Sequence, residues 1–600
     1  MPTLRTAALF TCTFVTLSLG NIGAAAQQSA ADYLPAGMTV YFELKDGTQQ
    51  LGDLLHFLDE QHFRDSLIYQ QLKNNPDFNQ ALAGLQGLSA MADISVQEAV
   101  GSLLGDDLII AASPGGNDDM RIIAATVTDS VNTRDSFLDS LENVAGLTIN
   151  GEPVQGRFRR IRDVTVFATD DDIYHCRINN ALLVSNDREL MKKALSVYFR
   201  KTDPLSTSPR YIDTLKTVPD DASVFMFLDT EQLRKLLQGQ AAEFNDALPG
   251  YLFGAWEYSL RHSNSITTWI TPGGNNLKLE LAVKSNADFP REYDGFNPSC
   301  KYFASFNGDD LPGFTGNIIL SRNWADLFSE RESLLTARGA DQVIEFSNNL
   351  TTLLGMLDFT DDVLPRVSGP LQLLIARQDF NGSEYTPSPV LPGFALVAPL
   401  TRDEFSPVFA ERLYAGANMG LSLLSLDAIQ NKRPALMVRP EIYKGHTIIT
   451  SAFVPPVMMG RNGAEENTEY GKPAGIYYNY SPAIAVLNDR LIITTSGKMM
   501  RQLLNLYDEE QDVNSGFVSG KTPDTAGDSI ELRFRPICDL LRDNRELIVA
   551  DSMIKKDISR NKAEENVDLL LDIFSRLDSL NIYSRTGTGN QRATAVINLR

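Results

Sequence analysis

The chain has 600 residues, 43% hydrophobic and 22% charged, with a formal net charge of −22 at pH 7. That length exceeds one ordinary core, so at least two globular domains are expected. The acidic balance repels phosphate backbones and anionic membrane surfaces, which removes nucleic acid from the expected partners.

At the N-terminus, Arg5 supplies a positive charge, Ala7 to Leu19 form a short apolar run, and Ala24, Ala25 and Ala26 precede Gln27. This order predicts a signal peptide over residues 1–26. The run is short and rich in Thr and Ser for a membrane span. An uncleaved anchor is the alternative. A lipoprotein reading at Leu9-Phe10-Thr11-Cys12 has too little apolar chain before Cys12. No later stretch reaches transmembrane length, so the expected mature chain has no integral membrane segment and is periplasmic or secreted. Removing residues 1–26, which hold Arg5 and no acid, takes the net charge from −22 to −23.

Further along, the chain repeats itself. Strand-then-short-helix blocks are predicted at Thr39–Leu55, Ser223–Leu237, Gly316–Phe328 and Ser529–Leu541, and Asp53-Leu54-Leu55, Asp326-Leu327-Phe328 and Asp539-Leu540-Leu541 are alike. Val100–Ser113, with strand Leu108–Ala111, matches Val363–Arg377, with strand Leu371–Ala376. Strand Arg121–Val127 leads to a helix beginning near Thr133-Arg134-Asp135. Strand Gly393–Pro399 leads through Thr401–Phe405 to a helix ending at Leu413. Asp or Thr at such starts caps orphan amides.

Arg177–Tyr198 aligns without gaps to Val486–Tyr507. Both contain a polar turn (Asn179-Asn180, Asn488-Asp489), an apolar strand (Leu182–Val184, Leu491–Ile493) and an amphipathic helix running to a terminal Tyr. Each half closes on a hairpin: Trp256–Val283 turning at Pro272-Gly273-Gly274-Asn275, and Leu580–Leu599 turning at Gly587-Thr588-Gly589-Asn590. The predicted architecture is α+β, two tandem copies of an antiparallel sheet plus helices, at 33–286 and 297–600, joined by Asn286–Asn297. Alternation in Arg157–Phe167 and Asn276–Val283 predicts a sheet with one wet face and helices on the other. The second half has longer loops at Phe380–Pro392 and Pro455–Pro473, where Met458 and Met459 are candidates for touching a partner.

The reactive residues form no recognisable motif. Cys176, Cys300 and Cys538 are far apart and read as inert buried thiols. His56 and His62 are six apart, off the i, i+4 spacing of a helical metal pair, and His175, His262 and His446 lie in or beside strands. G-x-S-x-G is absent. Gly516–Thr522, GFVSGKT, is one residue short of a phosphate-cradling loop and is followed by Pro523-Asp524. Asp118-Asp119, Asp170–Asp172 and Asp361-Asp362 lack the loop spacing of a calcium site. Asn349-Leu350-Thr351, Asn381-Gly382-Ser383 and Asn479-Tyr480-Ser481 fit the glycosylation triplet, which matters only in a eukaryotic host. The sequence therefore nominates no catalytic, cofactor-binding or metal residue and no cofactor.

The phrase Leu34–Glu43, LPAGMTVYFE, directly after a signal, together with the Asn-Asp-Arg blocks at Asn186-Asp187-Arg188 and Asn488-Asp489-Arg490, resembles uncharacterised signal-bearing bacterial envelope proteins known only as a domain of unknown function. The resemblance implies an envelope location, no activity and no functional residues to carry over. The expected function is a non-catalytic binding or structural protein with an envelope or extracellular partner, meeting it through sheet faces or the two long loops. The alternatives are a carrier of lipid or another apolar ligand, with Asn418–Leu426 lining a groove, and a hydrolase without a recognisable motif.

Overall fold

The structure is a computed structural model that describes residues 29–600 except 51, 53–68, 70–72, 116–119, 150, 237–245, 286–288, 297–305, 355–356, 381–386, 402–405, 432, 455–474, 488–489, 513–526 and 588–589. The chain divides into two compact units, Met1–Gln240 with Ser263–Ser285, and Ala241–His262 with Asn286–Arg600. Both are α+β, built on antiparallel sheets with helices between the strands.

In the main sheet of the first unit the strands are β1 (Val40–Lys45), β2 (Asp107–Pro114), β3 (Met120–Val127), β4 (Phe158–Ile161), β5 (Val164–Ala168), β6 (Tyr174–Ile178), β7 (Ala181–Ser185), β8 (Val224–Asp229), β9 (Ser263–Pro272) and β10 (Asn276–Ser285). They lie side by side in the order β10-β9-β8-β1-β2-β3-β7-β6-β5-β4, every neighbouring pair antiparallel. Side chains alternate across a strand. Tyr41, Ile109, Ala111, Ile123, Ala125, Leu183, Phe225 and Trp269 therefore share one face and form its core. The helix Arg188–Tyr198 covers that face with Leu190, Met191, Ala194 and Leu195. Its start is fixed by Asp187, whose side chain accepts the Leu190 amide at 2.7 Å. The segment Ser29–Leu34 completes the cover, with Ala30, Ala31 and Leu34 buried. Gly105 links the helix Val96–Leu104 to β2 at φ +68, and a Cβ there would lie 2.3 Å from the Val127 carbonyl oxygen, so only glycine fits.

The strands of the second unit are β11 (Phe314–Leu320), β12 (Leu371–Ala376), β13 (Gly393–Pro399), β14 (Leu436–Tyr443), β15 (His446–Phe453), β16 (Ala483–Val486), β17 (Arg490–Thr494), β18 (Ser529–Arg533), β19 (Leu577–Gly587) and β20 (Asn590–Leu599). Their order is β20-β19-β18-β11-β12-β13-β17-β16-β15-β14, again antiparallel throughout. Leu374, Ala395, Val397, Ile448, Ala485 and Ile492 pack against Met500, Leu503, Leu504 and Tyr507 of the helix Gly497–Asp512. On the opposite face Leu491 and Ile493 meet Phe409 and Leu413 of the helix Ser406–Gln430.

Several expectations need correction. The segment from Trp256 to His262 is not a hairpin arm but the end of the helix Ala247–His262, which belongs to the second unit. Its buried small residues Gly250, Gly254, Ala255 and Ser259 mark a helical face, and Gly254 sits against the Phe296 ring. The helix expected to stop at Leu413 continues to Gln430, and the one expected to stop at Tyr507 continues to Asp512. No proline stands beyond Leu413 or Tyr507 in these runs, so hydrogen bonding propagates, through Gly416 and Gly420 in the first of them. The single-wet-face sheet is also wrong for the second unit. The unbroken apolar run Leu491-Ile492-Ile493 is packed on both sides, the mark of a doubly covered strand. In β10 the pattern is inverted: Glu280 faces inward, accepting the Trp269 indole N–H at 2.9 Å, while Leu279 faces out.

Candidate functional site

Two surfaces emerge as sites. The first is a cleft of about 390 Å³ in the second unit. One wall is the chain leaving β12, Arg377 to Phe380; the other is the start of the helix Gly497–Asp512, with Ser496, Lys498, Met499 and Gln502; Tyr478, Asn479 and Ser481 form the floor. The floor is held by amides. Asn479, 1% exposed, donates to the Pro389 carbonyl at 2.8 Å and the Ile476 carbonyl at 3.0 Å and accepts the Leu391 amide at 2.7 Å. Gln378 donates to the carbonyls of Leu391 and Asn479 at 3.2 and 3.0 Å.

The basic groups of the cleft are neutralised. Lys498 pairs with Asp379 at 2.9 Å and Arg377 with Asp543 at 2.7 Å. Ser496 serves as a helix cap, its hydroxyl accepting the Met499 amide at 3.3 Å. A nucleophile needs a base within hydrogen-bond reach; the bonds seen here use Ser496 and Lys498 structurally instead. The cleft thus presents amide groups and paired ionic groups that can hold a small polar group.

The second surface is the outer face of the first unit's sheet. Phe42, Leu44, Leu108, Ile110, Ile122, Ala124, Met226, Ile270, Leu277 and Leu279 point away from the main core. Leu44, Leu108, Val224 and Ile270 are buried together, but Ile110, Ile122 and Leu279 are 40%, 37% and 43% exposed. Ile110 and Ile122 stand on the adjacent strands β2 and β3, so their exposed surface offers a site for association by apolar burial, while Leu279 stands apart on β10.

Set against known proteins, the chain matches no family model and no curated protein. Among solved structures it is similar to crystal forms III, I and IV of TP0453, at 11% identity in each case. The matches span 45%, 44% and 42% of this chain and 84%, 82% and 79% of those chains, with TM-scores of 0.23, 0.22 and 0.24. A likeness at that level assigns neither fold nor function.

The described residues among those singled out in the sequence make the following contacts. Cys176 and Cys538 are free and buried, and burial pushes the Cys176 thiol up to about 12, far from a reactive thiolate. Cys538 lies inside the helix Phe534–Asp543. His175 meets Glu142 at 2.9 Å, and Arg177 also reaches Glu142 and binds Asp139 at 2.6 Å. Burial works to raise the Glu142 carboxyl, yet these two hydrogen bonds hold it below its ordinary value. His446 meets Asp508 at 2.7 Å, and His262 contacts the Tyr258 carbonyl at 2.9 Å. Asp170 pairs with Arg157, and Asp358 caps the turn carrying Asp361 and Asp362. Asn418–Leu426 lies within the helix Ser406–Gln430; Leu421 is buried while Met419, Leu423 and Leu426 are exposed. Among the described residues no group of three His, Cys, Asp or Glu could hold a metal, and no helix is long and apolar enough to cross a membrane. Residues 1–26, Cys12, Asp53-Leu54-Leu55, His56, His62, Asp118-Asp119, Cys300, Asn381–Ser383, Asn488-Asp489, Pro455–Pro473 and Gly516–Thr522 lie outside the described residues.

Sequence reasoning missed the cleft, because Arg377, Asn479 and Lys498 are brought together from separated segments. It also missed a buried acid. Glu43 is 3% exposed inside the first unit and accepts the Tyr211 hydroxyl at 2.7 Å across 168 residues of chain. The only local sign was a charge inside the otherwise apolar run Val40-Tyr41-Phe42-Glu43-Leu44.

Proposed function

We propose that this chain is an exported, non-catalytic binding protein made of two copies of one α+β unit, holding an apolar partner in the cell envelope or outside the cell. The observation that carries the binding reading is the pair of exposed apolar side chains Ile110 and Ile122, on the adjacent strands β2 and β3 of the first unit's sheet. Burying such surface is worth roughly 25 cal/mol per Å², and association must first offset the lost rotational and translational freedom, so the partner has to cover more than these side chains alone. Duplication is supported by the strand orders, which coincide when ten is added to each strand number of the first unit. Export is supported by the leader-like pattern of residues 1–26.

The test is affinity enrichment from an envelope extract with the purified chain and with the double variant Ile110→Glu, Ile122→Glu. A partner captured by the first and lost by the second is expected. Equal capture by both would overturn the assignment of the face. An apolar surface also receives acyl chains, so a lipid carrier is the second reading, and native mass spectrometry distinguishes the two. Lipid adducts on the purified chain identify a carrier; a bare mass with a captured protein identifies a protein-binding module.

A further inference from the structure

We propose that Ser29–Leu34 is a latch on the first unit that opens when the buried carboxyls of Glu43 and Asp107 are both ionised. The latch is built into the core: Ala30, Ala31 and Leu34 have no exposed surface. Asp107 holds its first turn, its Oδ2 accepting the Ser29 hydroxyl at 2.8 Å and the Ala30 amide at 2.7 Å. Further along, Asp32 accepts the Ser206 hydroxyl at 2.6 Å, the Tyr33 hydroxyl donates to Asn180 at 3.1 Å, and the Leu205 amide donates to the Leu34 carbonyl at 2.7 Å.

Glu43 lies on the same sheet face, one step diagonal from Asp107. In the β1–β2 register Lys45 is opposite Asp107 and Glu43 is opposite Ile109. The charged and titratable groups facing this pair are few. Lys45 and Tyr41 come from β1, Tyr211 from the helix Pro209–Leu215 and Asp32 from the latch; β8 presents Phe225, opposite Glu43, and the more distant Asp229, which is paired with Arg210. Lys45 has one positive charge for three carboxyls, and its ammonium also sits 5.8 Å from the Phe225 ring. The Asp107 Oδ1 is buried without a hydrogen-bond partner. Like charges sharing a dry site cannot both ionise cheaply. Burial first, then the neighbouring Asp107, raises Glu43 to about 8; burial likewise raises Asp107. Moving Ser29 and Ala30 off the sheet admits water to Asp107 and relieves the pair, with the proton released to solvent.

Hydrogen exchange followed by mass spectrometry tests this on the whole chain. The peptide covering residues 29–34, corrected for intrinsic exchange, should lose protection by up to about tenfold per pH unit as the pH rises towards 8, as one-proton linkage requires, and level off beyond it. The core helix Arg188–Tyr198 should not follow it. Glu43→Gln keeps an acceptor for Tyr211 and should flatten the dependence. Flat protection in the natural chain, or an unchanged slope in E43Q, would overturn the latch. Should E43Q fail to fold, the infrared carbonyl band of a protonated carboxyl decides in the natural chain: its loss must coincide with loss of latch protection, and titration without opening refutes the proposal.

Discussion

Glu43 is surrounded by Tyr41, Ile109 and Phe225, and the Tyr211 hydroxyl is the donor it receives. A carboxyl so placed favours its neutral form, and its folded value of about 8 stands above the ordinary 4.5. The sign follows directly: a raised folded value means stability is intact at acid pH and is lost as pH rises towards 8. The first unit should lose up to about 1.4 kcal/mol per pH unit across that window, and E43Q should hold its urea midpoint steady over the same span. A natural chain whose midpoint is constant over this range would remove the buried acid from the account. Asn479 is the contrasting neutral case. It makes three hydrogen bonds that close the cleft floor, so Asn479→Ala should cost about 2–3 kcal/mol in chemical denaturation, since its partners are left unpaired. The buried position of this amide also leaves the triplet Asn479-Tyr480-Ser481 no room for a glycan.

Elements were legible wherever a local pattern dictated them. The turn, strand and helix of Arg177–Tyr198 stand where the polar pair, the apolar triplet and the 3.6-residue spacing place them. The helix Ala247–His262 was not legible, because its cue is a stripe of Gly and Ala whose meaning comes only from Leu335, Phe296 and the Tyr258–Tyr293 ring contact packed on it. The same limit hid Glu280, whose inward turn depends on the Trp269 indole across the hairpin. Element boundaries supply two tests. Gly105→Ala would force a Cβ into the Val127 carbonyl at a positive φ, so a loss of several kcal/mol is expected, measured as the thermal midpoint. Asp187→Ala removes only the cap of the helix Arg188–Tyr198 and should cost about 1 kcal/mol. If the two variants prove equally mild, the helix-to-strand junction at Gly105 is not constrained as described.

For the whole molecule, charge and apolar surface pull in different directions. A net charge of −22 keeps the chain away from other acidic bodies and opposes long-range attraction to an acidic partner. The outer face of the first unit's sheet exposes the apolar side chains Ile110 and Ile122 on the adjacent strands β2 and β3. Recognition there would depend on apolar burial at short range. Salt then discriminates between mechanisms. Screening shortens to about 3 Å at 1 M, which abolishes charge-driven capture but leaves apolar association intact or strengthened. Capture of the partner by this face should therefore persist, or improve, when salt is raised from about 0.1 M to about 1 M. A binding isotherm that weakens steeply over that range would place the contact on charged groups instead. The cleft with Arg377 and Lys498 would then become the site to mutate first, because its two basic groups are the ones a salt-sensitive ligand would have to win from Asp543 and Asp379.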